Sequence, residues 1–453
     1  MNVNLDLARK YDVAGPRYTS YPTAPQFRQW SPGEWVEILR ENERTSVRDL
    51  SLYFHIPFCQ TLCYYCGCNV VITHNHNRIS DYLNYLDREM ELFQEQVGTR
   101  RRVSQLHWGG GSPSGLSPEE IRTLGGMIRR RFDIADDAEI GVEIDPRRLT
   151  REHVEAFAEV GFNRASLGVQ DFDPKVQLAI NRWQPEEETV RAIEWCRELG
   201  LESINVDLIY GLPHQTPESF HRTLERVIEL APDRLAVFNF AFVPWVKPHQ
   251  NVIDQTTLPT VDQKLAMLKD ITETLTSAGY VYIGMDHYAR PDDSMAIAQR
   301  ERVLHRNFQG YSTHAECDLL SFGMTSIGNT DRAYSQNLRK IHEYYEAIDR
   351  NELPSSVGIR LSDDDVLRRD VIMSLMCNME LDRDDVSRRY EIDFDDYFDG
   401  IDEKLAPYAS DHLVELDGRV IRITDEGRLF LRNIAMQFDA YLEKGEKLYS
   451  RTV

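Results

Sequence analysis

The order of elements predicts an α/β chain: a parallel sheet wound with covering helices into a full or partial barrel, then a mainly helical domain with a winged-helix-like end. Three observations carry this. Six short β-rich runs recur through the centre of the chain, amphipathic helical stretches separate them, and polar or glycine residues collect where each run ends.

In order, the runs are LSLYFHIPF (Leu50 to Phe58), VSQLHWGGG (Val103 to Gly111), AEIGVEID (Ala138 to Asp145), FNRASLGVQ (Phe162 to Gln170), SINVDLIYG (Ser203 to Gly211) and RLAVFNFA (Arg234 to Ala241). Two of the intervening helices open on SPEE (from Ser117) and TPES (from Thr216), the pattern that caps a helix start and places proline where its missing N–H costs nothing. A right-handed series of strand–helix units curls into a barrel. Ligands of such folds sit at the C-terminal strand ends. Those ends here read Pro57-Phe58-Cys59, Gly109 to Ser112, Glu143 to Pro146, Gln170-Asp171, Asp207 with Gly211, and Asn239 with Ala241. They predict one large site across the barrel mouth.

From about Ser362 the pattern turns helical, then forms a hairpin around Asp417-Gly418 and a last helix. A helical domain with a wing raises DNA binding. Charge argues against it: Leu361 to Val453 carries 13 Lys and Arg against 23 Asp and Glu, whereas a DNA reader needs a basic face. This part is expected to be a structural lid. The expected division is an N-terminal segment (1–48) packing near the mouth, a catalytic barrel (49–355) and the lid domain (356–453).

The whole chain of 453 residues has a formal charge of −22, which opposes nucleic acid or anionic lipid as the main partner. No apolar run approaches the ~20 residues of a spanning helix, and the first residues lack the regions of a signal peptide. The expectation is a soluble, cytosolic, monomeric protein.

Four of the seven cysteines fall in CQTLCYYCGC, at Cys59, Cys63, Cys66 and Cys68. In a reducing compartment such a cluster binds metal or does redox chemistry rather than forming structural disulfides. Structural zinc pairs two separated knuckles, and no second knuckle exists here. A four-cysteine iron–sulfur site more often takes a distant last ligand, and Cys68 lies only two residues past Cys66. The third reading gives Cys59, Cys63 and Cys66 to three irons of a [4Fe–4S] cluster and leaves the fourth iron open. Cys196 and Cys377 read as packed bystanders, and Cys317 has no cysteine partner near it in the sequence.

CxxxCxxC at the end of a first barrel strand, with Tyr65 before the last cysteine and GGGSP on the second strand, resembles the radical S-adenosylmethionine (SAM) superfamily. The wider motifs YFHIPFCQTLCYYCGCN, LHWGGGSP, EIDPR, GVQDF, DLIYGLP, GMDHYARPDD, HRNFQGYST and GPRYTSYPTA resemble the oxygen-independent coproporphyrinogen III oxidase family, over nearly the whole chain. The resemblance implies a partial (β/α)6 TIM-like barrel of the radical SAM type. It also implies a cluster on Cys59, Cys63 and Cys66 and two SAM molecules. One SAM is on the open iron near Tyr53, Gly110, Glu143 and Ile327. The second lies near Tyr65, Gly111, Ser112, Gln170, Arg182, Asp207 and Ala241. Catalytic roles fall on Cys68, Tyr53 and Gln309. The family has Thr where this chain has Ser112, and both supply a hydroxyl.

The implied reaction removes a hydrogen from a propionate β-carbon with a 5′-deoxyadenosyl radical. Carbon dioxide and one electron are then lost, twice, turning coproporphyrinogen III into protoporphyrinogen IX with an external electron donor and acceptor. Four propionates need cationic partners, and Arg17, Arg290 and Arg306 sit in polar, aromatic-rich loops that suit this. Read alone, Glu143 is equally an internal ion-pair partner, Arg182 a surface arginine, Tyr53 a core residue and Gln170 a turn cap. A haem chaperone of the same superfamily is the nearest rival; such relatives lack Cys68 and the GPRYTSYP segment. Haem-modifying relatives are a second.

Overall fold

The computed structural model describes every residue except 2, 32, 315, 443–448, 450 and 453. All six expected strands are present: β1 (Leu50–Ile56), β2 (Arg102–Gly110), β3 (Asp133–Ile144), β4 (Arg164–Gln170), β5 (Ser203–Tyr210) and β6 (Arg234–Asn239). Each pairs in parallel with the next. Between them run α1 (His76–Gln96), α2 (Pro118–Arg131), α3 (Arg151–Val160), α4 (Glu186–Glu198) and α5 (Pro217–Leu230). The SPEE and TPES starts form reciprocal capping boxes, Ser117 with Glu120 and Thr216 with Ser219. Every β1 residue except Tyr53 is buried, as a strand covered on both faces requires.

The sheet continues on both flanks. After helix α6 (Val261–Ser277), β7 (Val281–Gly284) and β8 (His287–Ala289) add antiparallel strands beside β6. A hairpin of β9 (His305–Asn307) and β10 (Gly310–Ser312) pairs only with itself. Then β11 (Asp318–Phe322) pairs in parallel with β1, and β12 (Ile327–Thr330), β13 (Ala333–Asn337) and β14 (Ser355–Arg360) follow antiparallel. β11 is one of the strands the sequence reading misses: its five residues mark a strand only through partners some 270 positions earlier.

The C-terminal part holds α7 (Asp363–Asn378) and the expected hairpin, Val414–Leu416 with Val420–Ile423, widened by Glu380–Asp382. Val371, Leu375, Ile421, Phe430 and Ile434 form its core. The N-terminal segment enters the same core. Tyr18 and Tyr21 are fully buried there, and the Tyr18 hydroxyl donates to Asp439 Oδ2 at 2.9 Å.

A buried polar network behind β1 braces the cysteine loop. Glu89 of α1 accepts from Gly323 N at 2.7 Å, Tyr344 Oη at 2.8 Å and Asn337 Nδ2 at 2.8 Å. This fixes the turn carrying Thr325, whose hydroxyl accepts from Asn69 Nδ2 at 2.8 Å. Burial pushes the Glu89 carboxyl from about 4.5 to about 7, against those three donors. The folded state thus holds a proton the unfolded state has lost between these values. Stability from this group is greatest below about pH 4.5 and falls as pH rises to 7, by roughly 3 kcal/mol. Glu89→Gln is expected to remove that slope: urea midpoints of wild type and variant should converge, then cross in the variant's favour, as pH rises from 5 to 8. Parallel profiles would contradict it.

Candidate functional site: the cysteine loop and the barrel interior

The cysteine loop leaves β1 and returns beside its own root. Phe58–Cys59 pairs in parallel with Val71–Ile72, and Val71 N donates to Pro57 O at 2.7 Å. Its carbonyls are tied from three sides. Asn181 Nδ2 donates to Leu62 O at 2.9 Å, Gln250 Nε2 to Tyr65 O at 3.2 Å, His249 Nε2 to Cys66 O at 2.8 Å, and Lys247 Nζ to Cys68 O at 3.2 Å. An irregular loop built this way is rigid without secondary structure of its own.

Cys63 is 7 % exposed, and two guanidiniums flank its sulfur: Arg147 Nη2 at 3.5 Å and Arg182 Nη1 at 3.7 Å. Asp145 clamps both, at 2.6 Å to Arg147 and 3.1 Å to Arg182. Burial raises the Asp145 carboxyl, but Arg182 and then Arg147 hold it below its ordinary range. Burial pushes the Cys59 thiol up to about 12, while a hydrogen bond from Cys68 brings Cys66 down to about 6. Cys68 itself is exposed.

These residues fit a multi-iron cluster better than a single ion. Among the described residues no three His, Cys, Asp or Glu side chains converge on one metal position, as structural zinc requires. A cluster gives each thiolate its own iron.

The glycines of β2 act by close packing. Gly110 has φ +114°, and a Cβ there would lie 2.4 Å from His55 Cε1; at Gly111 it would lie 2.6 Å from Pro57 C. Their N–H groups are engaged inside the protein, Gly110 with Glu143 Oε2 at 2.9 Å and Gly111 with Ile56 O at 2.8 Å. The missing Cβ atoms let β2 press against the root of the cysteine loop.

Tyr53, Glu143, Asp207 and Gln309 meet on one interior cavity of about 210 Å³. His55 donates from Nε2 to Asn69 O at 3.1 Å, so its Nδ1 accepts from the Tyr53 hydroxyl at 3.1 Å. Burial holds this imidazole below its ordinary value, hence neutral. Burial raises the Glu143 carboxyl, but His107 (Nε2 to Oε1, 3.6 Å) and Gly110 N pull it below its ordinary range. Asp207 goes the other way, to about 6, through burial and then the charge on Glu143, despite bonds from Ser166 at 3.0 Å and Asn205 at 2.7 Å. Two carboxyls pushed apart in one cavity suit a site where one group stays charged and the other exchanges protons.

Ser112 lines a different cavity of about 590 Å³ with Cys59, Asp145 and Arg147. Tyr65 packs with Ile180 and Phe240. Gln170 is buried at the end of β4 with φ +69°. Ala241 gives its carbonyl to Gln250, and Ile327 opens β12. Arg182 is buried, not a surface arginine. Arg17 pairs with Asp286. Arg290 is exposed beside Asp292 and follows the pairing of Ala289 with Arg234, at the foot of β6 and the end opposite the cysteines. Arg306 is 4 % exposed over the Tyr311 ring. The sequence reading assigned no role to His55, Asp145, Arg147 or His107. Tyr53, His55 and His107 follow strand alternation onto the inner face, a signal that was present in the pattern.

Comparison with known proteins places this geometry. Residues 53–227 match the radical SAM superfamily and residues 361–430 the HemN C-terminal domain. Oxygen-independent coproporphyrinogen III oxidases of Escherichia coli and Pseudomonas aeruginosa are each 46 % identical, over 99 % of this chain and 98 % of theirs. That of Synechocystis is 42 % identical, over 99 % of this chain and 97 % of its own. The solved structure of coproporphyrinogen III oxidase (HemN) from Escherichia coli, described as a radical SAM enzyme, superposes with TM-score 0.92 at 44 % identity. It covers 98 % of this chain and all of that one.

Proposed function

The chain belongs to the oxygen-independent coproporphyrinogen III oxidases of the radical SAM superfamily, and on that premise we propose how its residues divide the oxidative decarboxylation of coproporphyrinogen III. A [4Fe–4S] cluster with SAM supplies the one-electron chemistry that opens a C–H bond at the β-carbon of a propionate, whose loss of carbon dioxide and one electron leaves a vinyl group. Cys59, Cys63 and Cys66 hold the cluster, and Arg147 and Arg182 offset the charge on Cys63. Tyr53, Gly110, Glu143 and Ile327 serve the iron-bound SAM. Tyr65, Gly111, Ser112, Gln170, Arg182, Asp207 and Ala241 serve a second one.

Within the barrel, the neutral His55 orients the Tyr53 hydroxyl, and Glu143 stays ionised as an acceptor for an amine or ribose hydroxyl. Asp207 holds or releases a proton near pH 6. Cys68 and Gln309 border the reacting space. Positioning one C–H bond and excluding water carries much of the catalysis. The reading also takes an external electron donor and acceptor, a cytoplasmic setting and a single working chain. No helix among the described residues is long and apolar enough to cross a membrane.

The observation that carries this reading is the cation-flanked Cys63 at the head of a barrel whose interior gathers Tyr53, Glu143 and Asp207. The test is anaerobic: reconstitute with iron and sulfide, add SAM, reductant, an electron acceptor and coproporphyrinogen III, and separate the oxidised porphyrins. Protoporphyrin should appear through a singly decarboxylated intermediate. A full cluster that cleaves SAM without converting the substrate would shift the reading to haem-binding or haem-modifying relatives.

A further inference from the structure

We propose that Arg306 is a carboxylate-binding residue that grips a propionate which is not decarboxylated, fixing the macrocycle by its spectator side. This rests on the activity proposed above and adds a site to it.

Arg306 lies on β9, directly opposite Tyr311 of β10, with its guanidinium 4.8 Å over the Tyr311 ring. It is 4 % exposed. Its Nε and Nη1 are buried without a hydrogen-bond partner, and no described carboxylate pairs with it. Other buried arginines with a free Nε spend their remaining donors on anions: Arg182 on Asp145, Arg383 on Asp395 and Asp402. The barrel's interior cations are likewise paired, Arg164 with Glu139 at 2.7 Å and Arg234 with Asp293 at 2.9 Å. Burying a permanent charge with its donors unmet costs several kcal/mol unless an anion meets it. Such an orphan in a native fold calls for a missing partner.

The surroundings fit a carboxylate of a large ligand. Arg306 lines a polar cavity of about 930 Å³ beneath the barrel. Arg48, Asp49, Arg102 and Cys317 on its wall stand at the N-terminal ends of their strands, away from the cysteine loop. Its neighbour Asn307 borders both this cavity and the 210 Å³ interior one, so the hairpin is the wall between them. The interior cavity alone is below the usual size of a ligand site, and the lower one is near its upper end. His287, which also packs on Tyr311 but borders the interior cavity, has an unpartnered Nδ1 too.

Chemistry decides which propionate binds. A carboxylate that must depart as neutral carbon dioxide would be held back by a guanidinium that stabilises its negative form. A permanent, unpaired arginine therefore suits a side chain that keeps its carboxylate.

The test compares two ligands and two proteins, all cluster-loaded and anaerobic, by equilibrium ultrafiltration followed by oxidation and porphyrin quantification. The ligands are coproporphyrinogen III and its analogue methyl-esterified on the two propionates that are not converted. The proteins are wild type and Arg306→Gln. Wild type should bind the ester about 10- to 100-fold more weakly than the parent, the worth of charge-assisted hydrogen bonds. Arg306→Gln should lose a similar factor for the parent and little more for the ester. Equal binding of both ligands by wild type would overturn the proposal without any variant having to fold. A variant that keeps the wild-type ratio would overturn it too. Wild type that binds neither ligand, with a full cluster and intact SAM cleavage, would bring down the activity reading and this proposal together.

Discussion

Cys63→Ser should yield a folded protein that cannot keep its cluster. Iron and sulfide per chain after reconstitution should fall steeply, and decarboxylation should drop by more than about a hundredfold, beyond the usual cost of losing an outer-sphere partner. Cys63 is the most informative of the three proposed ligands because two guanidiniums flank its sulfur. Arg147 and Arg182 both reach its sulfur, and Asp145 holds them there. A serine hydroxyl stays protonated beside them and is a poor iron ligand. The matched control is Cys196→Ser. Cys196 is fully buried on α4, its thiol pushed to about 12 by burial alone among large effects, and it faces the core under the sheet. That variant should lose some stability and keep its iron. Equal iron loss in both would mean that the cluster answers to general destabilisation, not to the loop.

Arg182→Leu should be the most destabilising single change at the site. The side chain is 7 % exposed, donates to Gly168 O at 2.6 Å and pairs with Asp145. Removing one member of a buried pair costs about 3–5 kcal/mol, because the other is left charged and poorly solvated. Arg147 still reaches Asp145 and offsets part of this, so the lower end is expected. Asp145→Asn added to Arg182→Leu should recover much of the loss, measured as urea midpoints of the cluster-loaded proteins. The same double variant should not regain full activity, because Cys63 has lost one of its two flanking cations and Arg147 has lost the carboxylate that holds it there. Stability that does not recover would assign the loss to packing around Arg182 instead of to the stranded carboxylate.

The barrel was legible because parallel strands covered on both faces are apolar runs, and the helices between them carry strong start signals. The cysteine spacing was legible because three ligands to one cluster fall within eight consecutive residues. What stayed hidden depends on residues distant in the chain. Asp145 and Arg147 stand two apart in EIDPR, yet Arg147 reaches a sulfur 84 positions earlier and Asp145 pairs with Arg182, 37 positions later. Arg17, Arg290 and Arg306 looked equivalent as arginines in polar loops. The fold gives one an acidic partner, puts another at the barrel's foot and buries the third with donors unmet. The strand Asp318–Phe322 had no local mark either, since its pairing with β1 is decided by topology.

The hairpin 305–312 sits in the gap of a sheet that never closes. Its strands bond to each other, while the long sheet ends at β7 on one side and beyond β14 on the other. What ties this hairpin to its surroundings is side chains: the Tyr311 hydroxyl on Met376 O, Phe308 against Phe27 and Tyr334, and Gln105 on Ser312. A strand in the ladder is held by its row of backbone bonds, whereas this element meets the rest of the barrel through the side chains just named, so the stretch of wall it forms is set by packing and not by the sheet.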